Sequence, residues 1–472
     1  MSQKTQLVVV GGGPGGYVAA FVAADMGMEV TLIDKNLNPG GVCLHVGCIP
    51  SKALLHVAKL IKETKEAEHW GVSFGEPKID LDKLREFKNR VVNKLTGGTG
   101  QLSKARKINY IQGTASFKNS SSLNVQKNDG TFEIIEFKNA ILATGSEPTK
   151  IPGIPYESEK VWDSTGALEL ESIPKKLLVI GGGYIGLELG SVYAALGSEV
   201  SVAEMMPGIL PGADRDMVRV LQKSLEQSLK TIMVNTKVVE VKETKKGMKV
   251  KFEGEGIKET EQEFDRVLVS VGRRPVTAGL GLENTRVTIN KRGFVEVDKK
   301  CQTKDPTIYA IGDIVGGAML AHKASAEGKV AVEAIAGNKA AFEPNAIPAV
   351  VFTDPELAWT GLNETEAKEK GIKIEVARFP WSASSRATTI DRNEGLTKLI
   401  FDPETKRVLG MGVVGAGAGE LIAEGTLAVE MATLAEDLAK TIHPHPTLSE
   451  TVMEAAEVAL GSSPHLYRPK RK

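Results

Sequence analysis

Cysteine is scarce in this 472-residue chain: there are three, Cys43, Cys48 and Cys301. Three cannot build the disulfide framework of a secreted scaffold, and such usage points to a reducing compartment, so a cytoplasmic location is expected. Long apolar runs are missing as well. No stretch of about 18 apolar residues occurs, so no membrane insertion is expected. The apolar run at residues 7–10 is too short for a signal peptide and ends in glycines. Net charge is absent: 59 Lys and Arg face 59 Asp and Glu. That balance leaves no basic footprint for nucleic acid and no acidic tail. The basic run at residues 468–472 is short and reads as a solvated tail. Apolar residues at 42% and charged residues at 25% exclude wholesale disorder. At about 150 residues per domain the length suggests about three domains.

Glycine, by contrast, is plentiful at 49 residues, and its most informative use is a duplication. Residues 7–34 read as strand, glycine loop, helix, strand, and residues 177–204 repeat the design. The loops are Gly11-Gly12-Gly13-Pro14-Gly15-Gly16 and Gly181-Gly182-Gly183-Tyr184-Ile185-Gly186. In each copy an acid, Asp34 or Glu204, follows the first glycine by 23 residues. Both loops satisfy G-x-G-x-x-G between a strand and a helix, the fingerprint of a dinucleotide site. Gly11 and Gly181 permit the tight turn, Gly13 and Gly183 let the backbone approach a pyrophosphate, and Gly16 and Gly186 allow close helix–strand packing. The helix N-terminus offers unpaired N–H groups to phosphate. Ordinary βα turns would show neither the repeat nor the closing acids.

Asp34 and Glu204 are suited to accept hydrogen bonds from ribose hydroxyls. Met205 and Met206 follow Glu204 where a 2′-phosphate would want a basic residue, so the second site should prefer NAD to NADP. Two dinucleotides in one chain suggest FAD plus a nicotinamide, with hydride passing between them. Spacing alone does not say which site takes which. Each copy is followed by an apolar strand running into glycine, at residues 140–145 and 266–272. Residues 104–137 and 232–265 look β-rich, and residues 151–155 read as a linker. Gly312-Asp313 follows a further strand and is a candidate for a carboxylate on a flavin's ribityl hydroxyls; a plain turn fits it equally. From about residue 348 the character changes to helix and strand without a nucleotide loop.

Cys43 and Cys48 stand close together in Gly-Gly-Val-Cys43-Leu-His45-Val-Gly-Cys48-Ile-Pro-Ser-Lys52. Metal binding is disfavoured, because there is no second cysteine pair and His45 is the only local addition. Thiol–disulfide exchange beside a two-electron flavin is chemically sensible. Residues 41–55, GVCLHVGCIPSKALL, resemble the redox-active disulfide segment of the pyridine nucleotide–disulfide oxidoreductases. They most resemble the branch that oxidises dihydrolipoamide as the E3 component of 2-oxoacid dehydrogenase complexes. The resemblance covers essentially the whole chain; His45 departs from it, standing where the family usually carries Asn.

The resemblance implies an α/β fold: two Rossmann-like dinucleotide-binding domains plus a C-terminal α+β dimerisation domain. The expected divisions are an FAD domain at 1–150, an NAD domain at 151–274, a return to the FAD domain at 275–347 and an interface domain at 348–472. It implies that Cys48 faces the flavin as a thiolate, Cys43 exchanges with the substrate's sulfur, and Lys52 lies near flavin N5 and pairs with Glu188. Gly11, Gly13, Gly16, Asp34, Lys52, Ala143, Thr144, Gly145, Asp313 and Ala321 would serve FAD; Gly181, Gly183, Gly186, Glu204 and Gly272 would serve NAD. No metal is expected. The partners implied are a second copy of the chain, dihydrolipoamide on lipoyl domains, and the subunits of a 2-oxoacid dehydrogenase complex or the glycine cleavage system.

Residues 443–450 read His443-Pro-His445-Pro-Thr447-Leu-Ser-Glu450 and hold two of the seven histidines. Dithiol oxidation needs a base near neutral pH, and a His with a carboxylate partner suits it. Thr447-x-x-Glu450 is equally a capping box at the start of the following helix. The resemblance makes His445 the base and Glu450 its orienter, delivered to the disulfide by the other subunit. Glutathione reduction would want basic residues where Met205 and Met206 stand. Mercuric reduction would want a C-terminal cysteine pair, and no cysteine follows Cys301. A flavin-binding docking subunit without turnover would leave both the cysteine pair and the His–Glu pair idle.

Overall fold

The computed structural model describes residues 2–254 and 259–466; the basic run at 468–472 lies outside the described residues. The first sheet is built on parallel strands Ser2–Val10, Val30–Asp34, Asn109–Asn119, Phe132–Leu142 and Ile308–Ala310. Ser122–Lys127 closes it as an antiparallel strand between Asn109–Asn119 and Phe132–Leu142. Leu7, Val8 and Val9 are fully buried, as expected for a parallel strand covered on both faces. One covering layer is a helix pair, Pro14–Asp25 and Ala321–Ile335, whose backbones meet at glycine: a Cβ on Gly328 would lie 2.8 Å from Gly15 O.

The second copy of the nucleotide motif anchors an all-parallel sheet in the order Thr231–Met233, Glu199–Ala203, Lys176–Ile180, Arg266–Val269, Val161–Trp162. An antiparallel trio, Thr236–Glu243, Met248–Gly254 and Glu261–Phe264, packs behind it through Val250 and Phe252. The chain leaves the first sheet and returns to it through a two-stranded ladder, Ser146–Pro148 with Arg273–Pro275. From residue 349 an antiparallel five-stranded sheet is covered by helices Ala418–Glu430 and Glu450–Leu460.

A buried ionic joint fastens this last sheet to the second nucleotide unit. Lys398 on strand Leu396–Phe401 has its side chain only 1% exposed, and its Nζ reaches Asp214 Oδ2 at 2.6 Å, Asp216 Oδ1 at 2.8 Å and Glu364 Oε1 at 2.9 Å. The three acids could by spacing hold a metal ion; here the lysine ammonium sits among them. Among the described residues, the helical run Gly41–Trp70 is long and apolar enough to cross a membrane by length and composition. In this fold it is broken at Gly47 and its longer part packs on helix Tyr184–Ala195.

Candidate active site

Both glycine loops form open cradles. Helix Pro14–Asp25 begins at Gly13 and helix Tyr184–Ala195 at Gly183, neither with a side-chain cap, so their first N–H groups are free for a ligand. A Cβ on Gly13 or Gly183 would meet nothing within 4 Å, which marks empty space at the helix mouth. The neighbouring glycines are sterically required. Gly11 has φ +104° and a Cβ there would lie 2.3 Å from Ala143 O; one on Gly16 would lie 1.8 Å from Gly11 O. Gly181 and Gly186 repeat this, with contacts of 2.6 Å to Ser270 O and 2.3 Å to Gly181 O.

The two closing acids brace the loops from the same position. Asp34 Oδ2 accepts from Gly12 N at 2.6 Å, while its Oδ1 takes Asn36 N at 2.9 Å and Asn36 Nδ2 at 2.8 Å. Glu204 Oε2 accepts from Gly182 N and Oε1 from Met206 N, each at 2.7 Å. A carboxylate has about four acceptor sites, so each keeps room for ribose hydroxyls. Open cradle, free N–H groups and spare acceptors together fit a dinucleotide in both loops.

The remaining cofactor candidates converge on the first sheet's edge. Thr144 Oγ1 donates to Val276 O at 2.8 Å, and Gly145 (φ +72°) accepts from Val276 N at 3.0 Å. Gly272 (φ +116°) accepts from Thr149 N at 3.0 Å. Ser146 Oγ donates to Asp313 Oδ2 and is itself held by Arg273, whose Nε donates to Ser146 Oγ at 2.7 Å and Nη2 to Ser146 O at 2.6 Å. The Gly312–Asp313 turn is fixed from below by Glu327 Oε2, which accepts from Gly312 N at 2.7 Å. Ala321 opens its helix with no side-chain cap.

The cysteine segment lies directly against the first loop. Gly40 N donates to Gly12 O at 2.7 Å, and a Cβ on Gly41 (φ +55°) would lie 2.5 Å from Gly13 Cα. Cys43 sits in helix Gly41–Val46 and Cys48 opens helix Cys48–Glu66. Between them Gly47 makes the break, where a Cβ would lie 2.7 Å from Val42 O. Both cysteines are thiols here. Cys43 donates a hydrogen bond to Cys48, and this lowers Cys48 from the ordinary 9.0 to about 7, helped by the Lys52 ammonium against burial and Glu188. The same bond, with burial, pushes Cys43 well above an ordinary thiol. Cys48 also stands at a helix N-terminus, which favours its thiolate. His45 turns its Nε2 to Asn38 O at 3.1 Å and packs against Gly40.

One turn along the same helix, Lys52 Nζ meets Glu188 Oε2 at 2.7 Å, with the acid's side chain 3% exposed. The other acid oxygen accepts from Phe352 N at 2.9 Å, and Lys52 Nζ lies 4.6 Å from the Phe352 ring centre. Lysine, glutamate and the C-terminal sheet thus meet in one place. Ser146, Arg273 and Phe352 were not picked out from sequence; nothing local marks them, since their partners are 127 to 167 residues away.

Glu450 does two things at once. Its Oε1 lies 2.9 Å from His445 Nδ1, and its Oε2 accepts from Thr447 N at 2.8 Å. The helix starts at Glu450 with Ser449 at its N-cap and no side-chain cap, so the Thr447-x-x-Glu450 capping box expected from sequence does not form, while the contact with His445 is present. The Thr447 hydroxyl completes no reciprocal cap and donates to Pro444 O at 2.7 Å. The His445 side chain is 69% exposed. Among the described residues no hydrogen bond or ion pair joins His445 or Glu450 to the cysteine helix of the same chain. Apolar side chains stand exposed nearby in the chain: Ile442 at 95%, Met431 at 70% and Leu427 at 62%.

Family models and known relatives agree with this arrangement. Residues 5–328 match the pyridine nucleotide-disulphide oxidoreductase model, and residues 347–456 match the dimerisation domain of the same enzymes. A dihydrolipoyl dehydrogenase from Haemophilus influenzae is 50% identical over 469 residues, covering 99% of this chain and 98% of that protein. One from Bacillus subtilis is 47% identical, covering 98% of each. Among solved structures, LpdA from Mycobacterium tuberculosis superposes with a TM-score of 0.89 at 27% identity, covering 96% of this chain and 99% of that one. A copper(II) complex of the HOCl-induced flavoprotein disulfide reductase RclA from Escherichia coli gives 0.86 at 29% identity, covering 96% and 99%.

Proposed function

This chain belongs to the pyridine nucleotide-disulphide oxidoreductases, and on that premise we propose that it oxidises dihydrolipoamide to lipoamide with NAD⁺ as acceptor. The observation that carries the reading is the cysteine pair, packed on one dinucleotide loop and linked through Lys52 and Glu188 to the helix that opens the other. Its curated relatives are dihydrolipoyl dehydrogenases over nearly their full length.

Contact between the cysteine segment and the first loop supports FAD in that cradle, held by Gly11, Gly13, Gly16, Asp34, Ala143–Gly145, Asp313 and Ala321. NAD then occupies the cradle of Gly181, Gly183, Gly186, Glu204 and Gly272. Bound there, FAD supplies a two-electron carrier between a dithiol and the nicotinamide. The residues supply the rest. With Cys43 and Cys48 oxidised to a disulfide, His445 takes a proton from one thiol of dihydrolipoamide. The resulting thiolate attacks Cys43 Sγ, the Cys43–Cys48 bond breaks, and Cys48 leaves as thiolate. His445 releases that proton to solvent and then takes the proton of the second substrate thiol, whose thiolate displaces Cys43 and closes lipoamide. Cys43 takes up the proton held by His445, leaving the reduced pair, in which Cys43 favours the thiolate of Cys48. Lys52, held in an ion pair by buried Glu188, keeps its positive charge beside that thiolate. Glu450 holds the His445 ring by Nδ1, leaving Nε2 for the substrate.

His445 and Glu450 act on the cysteine pair of a second copy. The exposure of His445, its separation from the cysteine helix within one chain and the exposed Ile442, Leu427 and Met431 support this. The enzyme works in the cytoplasm, on lipoyl domains of a 2-oxoacid dehydrogenase complex. Mixing the FAD-loaded protein with dihydrolipoamide and NAD⁺ tests the reading: NADH should form, and a Cys43→Ser variant should form none.

A further inference from the structure

His443, the other histidine of the His-Pro-His-Pro segment, has no part in the chemistry above. Yet its side chain is only 6% exposed and both ring nitrogens are engaged. Nδ1 lies 2.8 Å from Thr441 O, and Nε2 lies 2.8 Å from Glu424 Oε1 on helix Ala418–Glu430. A carbonyl oxygen only accepts, so Nδ1 must carry hydrogen. The Nε2–Glu424 contact then needs one more proton, so imidazole and carboxylate together form a net neutral, doubly bonded clamp. No ring nitrogen is left to act as a base. His445 is the opposite case: exposed, tied by one nitrogen, with the other free of any protein partner among the described residues.

The clamp is two residues from the base. Pro444 and Pro446 stand on either side of His445 and fix their own φ. The two proline rings restrict the conformations open to residues 443–446. One end is held by His443–Glu424, and the other by Glu450 on Thr447 N and by Thr447 Oγ1 on Pro444 O. We propose that His443 and Glu424 are positioning residues that aim His445 at the substrate dithiol, with no proton transfer of their own. The proposal rests on the reading of His445 as the base.

The test uses FAD-loaded wild type, Glu424→Ala, Glu424→Gln and His443→Gln, each run in two reactions. One is NADH formation from dihydrolipoamide and NAD⁺, which needs the base. The other is NADH oxidation by ferricyanide, an electron acceptor that has no thiol to deprotonate. A base misplaced by about 1 Å costs on the order of 100-fold, so Glu424→Ala and His443→Gln should lose about 10–100-fold in kcat for dihydrolipoamide. Their ferricyanide rates and dimer content should match wild type. Glu424→Gln should restore dithiol turnover, because its amide N–H donates to Nε2 of a neutral ring. Loss of both reactions together in Glu424→Ala and His443→Gln would overturn the proposal, as would full dithiol turnover in either, or a Glu424→Gln enzyme as slow as Glu424→Ala. A wild-type enzyme that runs with ferricyanide but not with dihydrolipoamide would instead overturn the substrate reading.

Discussion

Removing the Cys43 thiol should visibly disarm Cys48. In the structure, Cys48 falls from 9.0 to about 7 chiefly because Cys43 donates to it, with Lys52 the next favourable influence. A thiol titrating at about 7 is roughly half thiolate at pH 7, whereas one at the ordinary 9.0 is about one part in a hundred. Cys43→Ala removes the donor and leaves burial and Glu188 pushing upward, so the midpoint should climb towards 9.0 or beyond. Cys43→Ser keeps a hydroxyl donor and should remain closer to 7. Lys52→Met should raise the midpoint too, but by less than Cys43→Ala. The assay is thiolate ultraviolet absorbance of the reduced holoenzyme against pH. Cys301 does not interfere, since burial pushes it up to about 12. The sign is fixed: a lowered thiol pKa favours the native state as pH rises through about 7, and that advantage is lost below it. An unchanged midpoint in Cys43→Ala, or a larger shift in Lys52→Met, would refute the hydrogen bond as the main cause.

Other outcomes follow from single contacts. Glu204→Ala removes the acceptor for Gly182 N and Met206 N as well as the one proposed for ribose; charged hydrogen bonds contribute about 1.5–3 kcal/mol, so KM for NAD⁺ should rise about 10–100-fold in steady-state kinetics. Gly16→Ala forces a Cβ to within 1.8 Å of Gly11 O, so the first loop must open, and the purified protein should carry little FAD by absorbance. Lys398→Met leaves Asp214, Asp216 and Glu364 facing each other without their cation; loss of one buried ionic partner costs about 3–5 kcal/mol, read from the urea midpoint.

Much of this arrangement is legible in the residue order. The duplicated loops announce both nucleotide units because local sterics dictate them: Gly11, Gly16, Gly181 and Gly186 have no room for a side chain. The helices begin inside the glycine loops, at Pro14 and Tyr184, with Gly15, Gly16 and Gly186 in their first turns. The Lys52–Glu188 pair was expected from family resemblance alone, since nothing local joins positions 136 residues apart. Arg273, Ser146 and Phe352 escaped for the same reason: their roles exist only after separate sheets come together. Lys398 reads as an ordinary strand lysine until folding surrounds it with three acids. Thr447 and Glu450 read as a capping box, but the helix starts two residues later than that, at Glu450 after Ser449, so the acid's oxygens go to His445 Nδ1 and Thr447 N without capping it.

The central claim is that electrons pass from dihydrolipoamide through the Cys43–Cys48 pair to NAD⁺. The most direct measurement is NADH formation by the FAD-loaded protein from dihydrolipoamide and NAD⁺, repeated with NADP⁺ and with Cys48→Ser. Fast turnover with NAD⁺, little with NADP⁺ and none in Cys48→Ser is the expected result. Undiminished turnover in Cys48→Ser would contradict the cysteine relay, and equal rates with NADP⁺ would contradict the role given to Glu204.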